Sequence, residues 1–141
     1  MKPVMSVAEL EAFLETEFPQ MRMGAQTTRI EAVGPGTATL TLGFAEENLR
    51  PGGTVSGPAM MALADYAMYV AVLAHIGPVA LAVTTNFTIN FLRKPQPAAI
   101  VATARLLKLG KVLAVGDIEM TQAEVSGPVA HATCTYSIPP R

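Results

Sequence analysis

Tryptophan is absent from the sequence, aromatic residues make up only 6% of it, and cysteine occurs once, at Cys134. A core must therefore be assembled from aliphatic side chains and the eight methionines; half of the residues are apolar, enough for a folded chain. A lone cysteine excludes an intramolecular disulfide. Neither Cys134 nor the two histidines, His75 and His131, has the spacing of a metal site or a nucleophilic triad, and both histidines read as structural. The first residues, MKPVMSVAEL, lack the basic-then-apolar pattern of a secretion signal, so a cytoplasmic protein is expected. Charge is scarce as well: 15% of residues carry one and the net charge is −1, which argues against nucleic acid or an anionic membrane as partner. No repeat or low-complexity tract divides the chain, and 141 residues suit one domain spanning 1–141.

Periodicity supplies the elements. Between Ser6 and Phe18, apolar residues recur at Val7, Leu10, Phe13 and Leu14 with glutamates elsewhere, predicting a short amphipathic helix with Ser6 and Glu9 as its capping box and Pro19 at its end. Strand-like alternation follows near Thr27–Val33 and Thr37–Gly43, around the turn Gly34-Pro35-Gly36. After a loop over 46–54, a helix is predicted over 58–76, with Pro58 at the first helical position and Gly77-Pro78 as the stop. This helix is apolar on every side except at Asp65. A carboxylate costs roughly 2.5–3.5 kcal/mol at a bilayer centre, so a core helix wrapped by other elements is predicted in place of a membrane span.

Four strand-like runs complete the chain, over 80–92, 98–109, 112–122 and 128–137. In the first, strict alternation places Thr84, Asn86, Thr88 and Asn90 on one face and Thr85, Phe87, Ile89 and Phe91 on the other. The order β-β-α-β-β-β-β with short links predicts an α+β protein of the hotdog type: a mainly antiparallel sheet of about six strands curled around one long helix, with a short helix before it.

Three readings of Asp65 stand side by side: a structural carboxylate capping a neighbouring loop, a group at a subunit interface, or a general base or nucleophile in an apolar cleft. The start of the same helix bears on the choice. A helix N-terminus presents unpaired N–H groups, and Gly57 lets a ligand oxygen approach the chain, although a glycine also serves there simply as a cap. Such a site can hold an oxyanion. Asp65 lies ~12 Å further along the axis, too far for one carbonyl to touch both, so a two-fold pair with antiparallel helices is predicted, in which Gly57 of one chain faces Asp65 of the other. Between Asp65 and Asp117 no acidic residue occurs, whereas Arg93, Lys94, Arg105, Lys108 and Lys111 do. The tight turn Lys108-Leu109-Gly110-Lys111 suits phosphate contact and equally suits a solvated hairpin tip. Aromatics do not interleave with these bases, so a phosphate-bearing small molecule fits better than nucleic acid.

The run Arg50-Pro51-Gly52-Gly53-Thr54-Val55-Ser56-Gly57-Pro58, followed by Leu63-Ala64-Asp65, resembles the motif of hotdog-fold acyl-CoA thioesterases of the phenylacetic-acid-degradation (PaaI-like) type. The strand from Asn86 to Arg93 and the turn Lys108-Leu109-Gly110-Lys111 resemble that family too, so the likeness covers roughly residues 25–138. The resemblance implies hydrolysis of an acyl-CoA thioester, with Asp65 as base or nucleophile, the Gly57 N–H polarising the carbonyl, and Thr84 helping to place water. It implies that Arg93, Lys108 and Lys111 meet the phosphates of coenzyme A, with Arg50, Asn86 and Gly110 also on the substrate side. No metal or cofactor is required, and a dimer or dimer of dimers is expected. Three positions depart from the family: Ser56 replaces histidine, Pro58 replaces a second glycine, and Arg50 replaces the asparagine or glutamine that orients substrate. Ser56 retains a hydrogen-bonding hydroxyl but not the acid–base range of an imidazole. A non-catalytic acyl-CoA or acyl-ligand binder on the same fold is the alternative. A hydratase needs a histidine and acid pair that this motif lacks.

Overall fold

A computed structural model describes residues 1–19 and 28–140. Helix α1 spans Val7–Glu17. Strands β1 (Thr28–Gly34) and β2 (Thr37–Leu42) follow, then helix α2 (Gly57–Ile76) and strands β3 (Val83–Phe91), β4 (Ile100–Leu109), β5 (Leu113–Thr121) and β6 (Ala130–Ser137). The strands form one antiparallel sheet in the order β1-β2-β4-β5-β6-β3, curled around α2 as the predicted hotdog arrangement requires. The expected start of β1 at Thr27 lies outside the described residues.

The capping box of α1 is present: Ser6 Oγ accepts from the Glu9 N–H at 3.2 Å and Glu9 Oε1 from the Ser6 N–H at 3.0 Å. Leu10 and Leu14 seat this helix in the core. Helix α2 begins at Gly57, one residue before the predicted Pro58, and ends at Gly77, whose φ of +96° a side chain would resist. Along the inner face of β6, Ala130, Ala132 and Cys134 are small enough to let α2 approach the sheet. On β5 the approach is closer still: a Cβ on Gly116 would stand 2.7 Å from Met68 Sδ and 2.8 Å from the Arg105 carbonyl oxygen. Glycine there is what allows α2 to lie so near the sheet.

Two expectations need correction. First, α2 is not wrapped on every side. Residues from Ala67 to His75 are buried, but Pro58 and Met61 are exposed and Ala62 and Asp65 only half-buried, one stripe at helical spacing. The six-stranded sheet ends at β3, which leaves that stripe uncovered along with the exposed Val83 and Phe91. Second, the simple alternation predicted for β3 fails at its start. Thr84 pairs with Tyr136 but Asn86 pairs with Thr135, so a bulge at Thr85 shifts the register. Thr84 thereby points to the inner face with Phe87, Ile89 and Phe91, while Asn86, Thr88 and Asn90 face outward.

Both histidines make hydrogen bonds within the fold. His75 Nε2 accepts the Gly36 N–H at 2.8 Å, so the proton sits on Nδ1, which donates to the Ala71 carbonyl at 2.7 Å. A neutral ring thus ties the β1–β2 turn to α2. His131 Nε2 donates to Asp117 Oδ2 at 3.1 Å on the outer face, where Arg105 reaches the same oxygen at 3.0 Å.

Candidate active site

Asp65 sits where the bulged start of β3 and the end of β6 meet α2. Thr84 Oγ1 donates to Asp65 Oδ1 at 2.6 Å, and the Tyr136 hydroxyl donates to the same oxygen at 2.9 Å while lying 3.2 Å from the Asp65 carbonyl. Oδ2 has no hydrogen-bond donor among the described residues. Two depressions flank the carboxylate. One of about 460 Å³ is bounded by Glu17, Phe18, Tyr66, Tyr69, Thr84 and Tyr136, and a smaller one of about 250 Å³ by Met61, Ala62, Thr84 and Phe87.

The larger depression has aromatic walls. Phe18 meets Tyr66 and Tyr69 edge-on, with ring centroids 6.3 and 5.7 Å apart, and Tyr69 stacks on Tyr136 at 6.1 Å. The Tyr69 hydroxyl donates to the Ala80 carbonyl at 2.9 Å. Burial, reinforced by the charge of Asp65, pushes the Tyr66 and Tyr136 hydroxyls upward, so both remain protonated donors near neutral pH. The same causes push the Cys134 thiol up to about 12, which leaves it inert.

Gly57 lies toward the other end of the sheet. The loop before it folds back on itself: Leu49 pairs with Val55, and Arg50 N–H donates to the Thr54 carbonyl at 2.9 Å. Ser56 then caps α2. Its N–H donates to the Asn48 carbonyl at 2.7 Å and its Oγ accepts from the Ala59 N–H at 3.2 Å. Pro58 has no N–H to offer, so of the orphan donors of this helix start only the Gly57 N–H lacks a partner among the described residues. It opens on a cleft of about 520 Å³ bounded by Arg50, Val55, Met60, Phe91, Arg93 and Lys94.

One chain therefore splits the predicted residues into two groups. Asp65 and Thr84 meet at one place; Gly57, Arg50 and Arg93 meet at another, joined by Lys94; Ser56 is occupied as a helix cap. The Arg93 guanidinium also donates to the Pro128 carbonyl at 2.8 Å. Lys108, Gly110 and Lys111 do not line the Gly57 cleft with Arg93 in one chain. Leu113, just past their turn, pairs with Ser137, and Ser137 pairs with Val83, so the turn lies at the Asp65 end of the sheet. Asn86 is on the outer face, away from Asp65. Tyr136 was not anticipated. Its signal was an inward row of small residues on β6 that ends in one long side chain with a hydroxyl tip.

The sequence pattern of the thioesterase superfamily matches residues 52–136, more than half of the chain. The chain belongs to the thioesterase superfamily. Among solved structures, this thioesterase is 50% identical to a candidate thioesterase from Silicibacter sp. TM1040, with a TM-score of 0.89 over 99% of this chain and 96% of that one. It is 26% identical to a phenylacetic acid degradation-related protein of Ralstonia eutropha JMP134, with a TM-score of 0.79 over 92% and 98% of the two chains. The E. coli PaaI protein from the phenylacetic acid degradation operon shares the fold, with 21% identity and a TM-score of 0.79 over 96% and 97%. No curated protein matches this thioesterase.

Proposed function

We propose that the protein hydrolyses an acyl-CoA thioester to the free acid and coenzyme A, in sites shared between two chains. The observation that carries this reading is the Asp65 carboxylate, oriented by two hydroxyl donors on Oδ1, with Oδ2 left without a donor beside an apolar cleft. Oδ2 either attacks the thioester carbon or takes a proton from the attacking water. The developing oxyanion is met by the Gly57 N–H of the second chain, the one unpaired donor of its helix start. Coenzyme A departs as thiolate. A thiol ionises near ~8.5, so its departure needs no strong proton donor, and Ser56 in place of histidine is compatible with the chemistry.

Two chains are required because Gly57 and Asp65 lie on one face of one helix, over two turns apart. The uncovered stripe of α2 and the exposed edge β3 support a second copy as what covers them. Arg50, Arg93 and Lys94 beside Gly57, and Lys108 and Lys111 from the Asp65 end of the other chain, are the cations for the phosphates of coenzyme A.

The test is thiol release from short, long and aromatic acyl-CoA esters by the protein and by its Asp65→Asn variant. Loss of turnover by about a thousandfold or more, with coenzyme A affinity retained, is expected of the variant. Equal kcat/KM in the two proteins removes Asp65 from the mechanism. Tight acyl-CoA binding without thiol release by the unaltered protein would instead establish a binding protein.

A further inference from the structure

The last long side chain of β6 does more than fill the core. Tyr136 is 3% exposed, its ring stacks on Tyr69, and Tyr69 is itself held by its bond to the Ala80 carbonyl. β6 is flanked by β5 and β3, whereas Thr84 lies on the edge strand immediately before a bulge. Of the two hydroxyls on Asp65 Oδ1, Tyr136 therefore has the more rigid footing.

A carboxylate oxygen has two lone pairs. Thr84 at 2.6 Å and Tyr136 at 2.9 Å together use both lone pairs of Oδ1, which leaves those of Oδ2 available. The terminal torsion of an aspartate is two-fold and broad, so without such ties the two oxygens exchange places readily. An arrangement with both donors on one oxygen fixes which oxygen reacts and from which side, the orientation that hydrolysis depends on.

We infer that Tyr136 is a positioning residue for Asp65: with Thr84 it saturates Oδ1, holds the carboxylate in one orientation and presents Oδ2 as the reacting atom. This rests on the hydrolytic reading for its role in turnover, though not for the contact itself. Thr84 alone, on the edge strand, does not supply the fixed orientation.

The experiment is Tyr136→Phe, which keeps the ring and its stack on Tyr69 but removes the hydroxyl. The Asp65 carboxyl carbon, followed by carbon-detected NMR at neutral pH, should change its chemical shift relative to the unaltered protein, because one of the two donors on Oδ1 is gone. In the thiol-release assay kcat should fall about tenfold with KM little changed. Tyr69→Phe, which loses the Ala80 bond and keeps the stack, controls for packing and should leave the Asp65 carboxyl signal in place. An unchanged carboxyl signal in Tyr136→Phe, an equal change in Tyr69→Phe, or full kcat in Tyr136→Phe overturns the inference. Absence of thiol release from the unaltered protein overturns the hydrolytic reading alone, since the carboxyl signal still decides whether Tyr136 holds Asp65.

Discussion

The two clefts along α2 are opposites. Among the described residues, the Gly57 cleft carries three cations, Arg50, Arg93 and Lys94, and one unpaired backbone N–H, with no carboxylate on its walls. The Asp65 cleft carries two carboxylates, Asp65 and Glu17, four aromatic rings and, among the described residues, no cation. On the proposed mechanism the first holds phosphate and stabilises negative charge on a carbonyl oxygen, and the second holds an apolar group beside a base or nucleophile. On that proposal neither cleft is a complete site alone: binding of the leaving group is divided from attack on the carbonyl, and a second copy reunites them.

The sharpest way to break this comparison is complementation. Asp65→Asn removes the attacking group from one cleft. Gly57→Pro removes the N–H from the other without asking much of the fold: proline suits a helix start, Ser56 has the extended ψ of 152° that a following proline prefers, and a Cβ at position 57 meets Phe91 at 3.5 Å. Each variant alone should lose at least roughly a hundredfold in kcat. In coexpressed chains, half of the dimers are mixed and each mixed dimer has one intact site of two, so about a quarter of the native rate should return. Failure of any activity to return would mean that the two groups do not serve one site across the dimer.

A smaller effect tests the division of labour. Replacing Arg93 and Lys94 together by alanine should raise KM for acyl-CoA by about tenfold, leave kcat within about twofold, and weaken the dependence of KM on salt. A fall in kcat at constant KM would place these cations with the chemistry and blur the contrast between the clefts.

Much of this contrast was legible in the sequence, and the misses share a cause. The helix, its first proline and its single carboxylate depend on residues a few positions apart, so Pro58 and Asp65 could be read directly; the sequence offers the cap to Gly57, whereas the structure gives it to Ser56, which the family motif marks as the replacement of a histidine. The order of strands followed from alternation and turn residues. What alternation could not reveal was the bulge at Thr85, because a register shift is decided by the partner strand; that one residue carries Thr84 from the face predicted to hold Asn86, Thr88 and Asn90 to Asp65. Tyr136 was missed for a related reason, since it is 71 residues from Asp65 and their contact exists only once β6 lies beneath α2. The basic residues of the interval before Asp117 looked like one patch because they are close in sequence. The β4–β5 hairpin separates them by carrying Lys108 and Lys111 to the end of the sheet away from Arg93.

The smallest expected effect concerns a region that belongs to neither cleft and so controls for both. On the outer face, burial pushes the Asp117 carboxyl up, but hydrogen bonds from His131 and Arg105 and their charges outweigh it and hold the group below the usual carboxylate range. A carboxyl lowered by folding contributes stability that is present above its unfolded value of ~3.9 and is lost as pH falls through the folded value. Asp117→Asn should therefore lower Tm by roughly 3 °C at pH 7, a difference that shrinks below about pH 4 and vanishes once the native carboxyl is protonated. Thiol release and its pH profile should be unaltered, because this cluster lies on the face of the sheet turned away from α2. If the same substitution moved the acid limb of turnover, charge on the outer face would be reaching Asp65 through the sheet, and the two clefts could no longer be treated as the only electrostatic environments the substrate meets.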